Sequence, residues 1–314
     1  MYSVVLPACT SVRLLGLHGD TDSVYDQILV PTDGSDGANV MFDHILDIAA
    51  EHDVTVHILN IADTTHASDS LFQGAIVDAL DLVDIFEERG EEIVRVAAER
   101  AHRRGVDTVT DVVRGEPSSS IVDYASSQGI DLITMPTHGR DGLTRFLIRS
   151  TAERVVRQAD TPVLTIRPGE STTTYPYRDV LVPTDGSDCA TEALSIGIEA
   201  ATTAEASLHL LSVDNTASLG IDIWNDSRST SEEEDAHEVL ETASTDAKKA
   251  GVGSISRTVE HGPSNYQSIL SYVDDHDIDL VIAGTRDRTG FNRSVFGSVT
   301  DKLVRRSPVP CLTL

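Results

Sequence analysis

Apolar stretches give way to a sharply polar turn at two places in this chain, and the two places are identical. Residues 29–36 read Leu-Val-Pro-Thr-Asp-Gly-Ser-Asp, and residues 181–188 repeat them letter for letter. An apolar run that enters Pro-Thr-Asp-Gly-Ser and leaves into a helix-compatible stretch predicts a buried parallel strand closed by a tight turn. Glycine permits the dihedrals of such a turn, and Ser or Asp caps the helix that follows. After the first copy, Met41, Ile45, Ile48 and Ala49 recur at helical spacing and predict an amphipathic helix lying on a sheet.

The same reading extends along both halves. In the first, strands are predicted over residues 27–30, 54–61, 109–113, 132–135 and 163–166. The fourth lacks polar alternation, as a strand covered on both faces does. Residues 76–104 read as helix, Ser118 as the cap of a short helix ending near 126, and a further helix opens at Ser150. Residues 64–74 and 137–149 read as loops. In the second half, strands are predicted over 180–182, 207–213, 255–259, 280–283 and 309–314, with helices over 191–201 and from Ser298. Leu240, Ala243, Ala247 and Ala250 form one stripe of another helix, preceded by a polar stretch, 215–231, and the acids of 232–235, which together read as a mobile loop.

An eight-residue identity shared by two halves with the same order of elements marks a tandem duplication. The length agrees, since domains run to about 100–200 residues. Residues 25–168 and 175–314 are expected to be the two domains, 169–174 a linker, and 1–24 a poorly ordered extension without counterpart in the second copy. Strand and helix alternate five times per copy, and parallel neighbours need crossover helices. The fold class is therefore α/β: two tandem, doubly wound, five-stranded parallel-sheet domains. Ligands of such sheets sit at the carboxyl ends of the strands. Those ends carry the Pro-Thr-Asp-Gly-Ser turns and the glycine-bearing loops after the fourth strands, so both elements face one cleft in each copy.

Composition narrows the partners. With 24 basic residues against 51 acidic ones the formal charge is −27, which disfavours nucleic acid and anionic membranes. The acids either make a docking surface or keep the chain soluble in a very salty cytoplasm, where screening acts within about 3 Å at 1 M salt. Lysine occurs only at 248, 249 and 302, and the acids are well scattered, which favours the halophilic reading. Cys9, Cys189 and Cys311 show no metal or redox spacing, and Cys311 reads as core. No run of 18 apolar residues predicts a membrane helix. Leu6-Pro7-Ala8-Cys9 has the outline of a lipoprotein cleavage box, yet nothing basic precedes it and the apolar stretch is too short.

Together, Pro31-Thr32-Asp33-Gly34-Ser35 and its copy, Gly115-Glu116-Pro117, Thr137-His138-Gly139-Arg140, and the proline-bearing last strands resemble the universal stress protein (UspA) family over most of the chain. The resemblance implies a Rossmann-like fold of the adenine-nucleotide α-hydrolase kind and a cytoplasmic regulatory module that binds ATP or another adenine nucleotide, with Mg²⁺ as an accompanying ion. It also implies that the last strands, 163–166 and 309–314, meet as in a family dimer, which makes the two halves an intramolecular pseudo-dimer; a further homodimer stays open.

The nucleotide-binding positions that the resemblance implies are Pro31, Thr32, Asp33, Ile61, Met135, His138, Gly139, Arg140, Arg149, Ser150 and Thr151 in the first half. In the second they are Pro183, Thr184, Asp185, Val213, Gly284, Arg286, Gly297, Ser298 and Val299. ATP-binding members carry G-x2-G-x9-G-[ST] after the fourth strand, where glycines let backbone approach phosphate and the last pair opens a helix toward the anion. Neither copy keeps the pattern whole. Pro136 and Arg149 stand at glycine positions in the first, and Asp287 stands at one in the second.

Each position has a plainer role beside the implied one. Asp33 and Asp185 suit turns through side-chain bonds to nearby backbone. Ile61 and Val213 suit a core, and Ser150-Thr-Ala-Glu153 is a capping box, with Ser298-Val-Thr-Asp301 close to one. His57 and His209 read as satisfied strand histidines. No nucleophile elbow, Walker loop, H-E-x-x-H or paired-cysteine zinc pattern occurs, so nothing argues for catalysis. A nucleotide-independent interaction module and a weak nucleotide hydrolase remain the alternatives.

Overall fold

The computed structural model describes residues 26–63, 76–137, 151–169, 175–214, 226–262, 264–285 and 298–314, with side chains described except at 76–82, 226–233 and 298. The first half runs β1 (Gln27–Pro31), α1 (Asp36–His52), β2 (Thr55–Asp63), α2 (Ile76–Arg103), β3 (Thr108–Gly115), α3 (Pro117–Gln128), β4 (Leu132–Pro136), α4 (Thr151–Gln158) and β5 (Val163–Ile166). The second runs β6 (Asp179–Pro183), α5 (Asp188–Thr203), β7 (Ser207–Asp214), α6 (Asp226–Lys249), β8 (Ser254–His261), α7 (Asn265–Asp275), β9 (Leu280–Ala283), α8 (Ser298–Arg306) and β10 (Cys311–Thr313).

All ten strands form one sheet in the order β3-β2-β1-β4-β5-β10-β9-β6-β7-β8. Pairing within each half is parallel, and the halves join where β10 runs antiparallel to β5, with Cys311 opposite Thr165 and Thr313 opposite Val163. The joint is reciprocal. Thr165 Oγ1 donates to the Cys311 carbonyl at 3.1 Å, and Thr313 Oγ1 donates to the Val163 carbonyl at 3.1 Å. The expected meeting of the last strands is thus what the structure shows, and it turns two five-stranded sheets into one.

Alternation along the strands sorts the core into faces. Ile28 and Val30, with Val180 and Val182, point into a single cluster that α1, α2, α5 and α6 cover across both halves. Leu29 and Leu181 point the other way, into two separate clusters, one under α3 and α4 and one under α7 and α8. The inner strands are buried on both faces, which is why they read as continuous apolar runs, whereas the edge strands β3 and β8 are half-buried to exposed and carry polar residues.

Four readings change. The cap of α3 is Glu116, not Ser118: its carboxylate accepts from Ser119 N at 2.9 Å, while Ser118 Oγ donates to the same oxygen at 2.7 Å. Pro117 at the first helical position has no N–H to leave unsatisfied. The polar and acidic stretch read as a mobile loop to 235 is already helix from Asp226. Ala250 is exposed beyond the end of α6, and Ser244 joins Leu240, Ala243 and Ala247 in the buried stripe. Helix α7 was not foreseen, its apolar face being carried by Ile269, Tyr272 and Val273. Expectations for residues 1–24, 64–74, 138–149, 170–174 and 215–225 lie outside the described residues.

Candidate functional site

The two repeated turns fold alike. Thr32 Oγ1 accepts from Gly34 N at 3.2 Å, Asp33 Oδ1 from Ser35 N at 2.9 Å, and Ser35 Oγ caps α1 by accepting from Ala38 N at 3.3 Å. In the second copy, Thr184 Oγ1 accepts from Gly186 N at 3.3 Å, Asp185 Oδ1 from Ser187 N at 3.0 Å, and Ser187 Oγ from Ala190 N at 3.4 Å. Gly34 and Gly186 have φ of +74° and +77°, a region that only glycine enters without strain. Each aspartate spends one oxygen on its turn, yet remains exposed at the strand end.

Around the second turn the ends of β6, β7 and β9 and the helices α5, α7 and α8 enclose a cavity of about 300 Å³. Six of the positions implied by resemblance line it: Pro183, Thr184, Asp185, Val213, Gly284 and Val299. Arg286 and Gly297 lie outside the described residues, and Ser298 contributes only the backbone that opens α8. The first turns of α5, through Cys189 and Ala190, and of α8, through Val299 and Thr300, both face the cavity. N–H groups at helix starts lack intrahelical acceptors, so two such starts favour an anion there.

Gly284 has a role that sequence reasoning missed. A Cβ built on it falls 2.6 Å from the carbonyl carbon of Cys189, so glycine is what lets β9 end against the first turn of α5. Thr300 Oγ1 donates to the Gly284 carbonyl at 2.9 Å and ties α8 to the same point. Cys189, Asn265, Ile269 and Thr300 line the cavity and were not singled out from sequence. For Ile269 the signal was present, as the buried face of a helix left unassigned.

In the first half, Pro31, Thr32 and Asp33 stand at the end of β1, between β2, which carries half-buried Ile61, and β4, which carries buried Met135. Asn60 Nδ2 donates to the Thr32 carbonyl at 2.7 Å and braces the turn. Thr151 opens the described part of α4, whereas His138, Gly139, Arg140, Arg149 and Ser150 lie outside the described residues.

His57 and His209 are buried in β2 and β7 and sit away from both turns. His57 Nδ1 meets Tyr124 Oη at 3.1 Å, and His209 meets Tyr272 Oη and Asp179 Oδ1, each at 3.1 Å. Burial pushes the His57 imidazole below its ordinary range. Among the described residues no group of three or more His, Cys, Asp or Glu is placed to hold a metal ion, and no helix is long and apolar enough to cross a membrane.

The model of the universal stress protein family matches residues 25–167 and again 176–314. The chain belongs to that family. A universal stress protein of Methanocaldococcus jannaschii is 34% identical over 148 residues, 46% of this chain and 84% of its own length. One of Bacillus subtilis is 26% identical over 148 residues, 46% of this chain and all of its own length. Each of these relatives thus corresponds to one half of the tandem universal stress protein described here. A universal stress protein of Archaeoglobus fulgidus superposes with a TM-score of 0.70 at 20% identity, covering 92% of this chain and 98% of that one. A functionally unknown protein of Pseudomonas aeruginosa does so with a TM-score of 0.63 at 17% identity, covering 92% of each. At these identities the superpositions show a likeness of fold alone.

Proposed function

We propose that this chain is a cytoplasmic universal stress protein that binds an adenine nucleotide, ATP or AMP, as a regulatory signal and does not turn it over, in a halophilic cell. The observation that carries the reading is the cavity at the ends of β6, β7 and β9, where every described second-half position implied by resemblance except the backbone of Ser298 comes together. Its volume falls at the lower end of the range for small-molecule sites, about 300–1,000 Å³. Leu211, Val213 and Ile269 supply an apolar wall for a base, and the starts of α5 and α8 supply donors for phosphate. Among the described lining residues Asp185 is the one carboxylate, and it suits a sugar hydroxyl.

A nucleotide-independent interaction module has an observation on its side. The turn bonds of Asp185 and the packing of Gly284 account for both residues without a ligand. Calorimetry in molar KCl with ATP, ADP and AMP, with and without Mg²⁺, separates the two. Saturable heat that weakens in Asp33→Ala and Asp185→Ala supports nucleotide binding; no heat with any of the three leaves the interaction module.

A further inference from the structure

We infer that the second cleft is completed by the first half: Arg157 neutralises the acid at the phosphate-facing start of α8 and so sets how strongly that cleft holds a charged ligand. The inference rests on the nucleotide reading above. Val299 and Thr300, in the opening turn of α8, line the cavity, and Asp301 is the next residue. A carboxylate there takes the positive end of the helix for itself, and an arriving anion meets its charge. Among the described lining residues none is basic, so the cavity wall does not offset Asp301. Lys302, the following residue, is drawn onto the Tyr266 ring, 4.3 Å from its centroid.

The offset comes from across the joint. Because β5 and β10 run antiparallel, the strand ends that carry the two repeated turns point to opposite ends of the sheet. Helices α4 and α8 accordingly lie antiparallel, the last turn of each against the first turn of the other. Arg157, in the last turn of α4, donates to Asp301 Oδ1, and Arg305 Nη2 stands 3.3 Å from Asp301 Oδ2. Arg305 is shared with Glu153, at 2.7 Å, so Arg157 carries most of the compensation. The Arg157 and Asp301 side chains are 19% and 20% exposed, so salt screens this pair less than a surface pair. Arg157 touches no lining residue's ligand face; it is a positioning residue that acts through the charge of Asp301.

The test is calorimetric titration of the full chain in molar KCl with ATP, AMP and adenosine, in an Asp33→Ala background that leaves the second cleft as the site observed. In that background Arg157→Gln is expected to weaken ATP about tenfold, the effect of one uncovered charge about a helical turn away. AMP should weaken less, and uncharged adenosine not measurably. Asp301→Asn is expected to do the reverse and tighten ATP, since the arginine charge is then unspent; lost packing cannot produce that change. The double variant Arg157→Gln with Asp301→Asn returns ATP affinity to that of the background. The inference alone is overturned if Arg157→Gln leaves ATP affinity unchanged or weakens adenosine as much as ATP. It is also overturned if Asp301→Asn fails to tighten ATP, or if ATP binds wild type but not the Asp33→Ala background. Absence of ATP binding in wild type overturns the nucleotide reading and this inference together.

Discussion

Arg305 Nη2 lies 2.7 Å from Glu153 Oε2, a contact from the last turn of α8 in the second half to the first turn of α4 in the first. Its mirror image is present: Arg157 of α4 donates to Asp301 of α8. The two arginines occupy equivalent positions, as do the two acids, so the duplication has produced a reciprocal pair of ion pairs beside the joint of β5 and β10. Glu153 is only 8% exposed, which makes an unneutralised carboxylate there costly. Arg305→Glu is expected to destabilise the chain by about 2–4 kcal/mol, and the swap Glu153→Arg with Arg305→Glu to recover more than half of it. Denaturant titration in constant KCl checks this; a swap no better than its single variants would show that the pair is incidental.

Gly284→Ala probes the cavity wall. The added methyl meets backbone of Cys189, which cannot rotate away as a side-chain tip can, so α5 and the end of β9 must separate. Overpacking of this kind costs about 1–3 kcal/mol. Nucleotide affinity at the second site is expected to fall with it, whereas a change at the equivalent first-half position, Pro136→Gly, leaves the second site untouched. Site-resolved calorimetry distinguishes the two variants.

The repeated turns and the strand runs were legible because each is encoded locally, by apolar continuity and by glycine where φ must be positive, whereas the meeting of 163–166 with 309–314 followed only from the family resemblance. What escaped notice was set by contacts between distant segments. Glu116 became the cap through the hydroxyls that follow it, a preference no Ser-first rule predicts. Helix α6 begins at Asp226 and runs through the acids 232–235, a polar stretch without the apolar periodicity that marks a helix in sequence. Asn265 and Ile269 line the cavity only because α7 packs against the ends of β7 and β9, contacts that no local pattern announces. Gly284 was identified for phosphate approach, whereas the structure gives it a packing role that operates with or without a ligand.

The halves are also clasped by histidine and tyrosine. His44 Nε2 of α1 meets Tyr177 Oη at 2.6 Å, and His52 meets Tyr175 in the segment leading to β6. Burial holds the His44 imidazole below its ordinary value of 6.5, with Asp47 opposing weakly. A base depressed in the folded state stays neutral there while the unfolded chain takes up a proton. Its stabilising contribution is therefore complete above about 6.5 and is lost as pH falls through the lower folded value. Tyr177→Phe is expected to cost about 1–3 kcal/mol by orphaning a buried ring nitrogen. Denaturant stability measured from pH 7.5 to 5 should decline in wild type and decline less in His44→Gln.

Glu116 gives the opposite end of the pH range. Burial works against its charge, but the bonds from Ser119 and Ser118 outweigh it and hold the carboxyl at about 2. Arg154 Nη1 adds an ion pair at 2.9 Å. A depressed acid stabilises above its unfolded value and loses that contribution as pH falls toward the folded one, here between about 4.5 and 2. Glu116→Gln is expected to cost about 1 kcal/mol at neutral pH, in line with loss of a helix cap, and to flatten the acid limb of the stability curve. A variant with an unchanged acid limb would count against the cap.

The central claim is that a duplicated chain keeps at least one cleft for an adenine nucleotide. Mass spectrometry of the small molecules released from natively purified protein tests it most directly. The account predicts an adenine nucleotide in the wild-type extract at a substantial fraction of the protein concentration, reduced in the double variant Asp33→Ala with Asp185→Ala. An extract with no adenine nucleotide, or with the same amount from wild type and double variant, would contradict it.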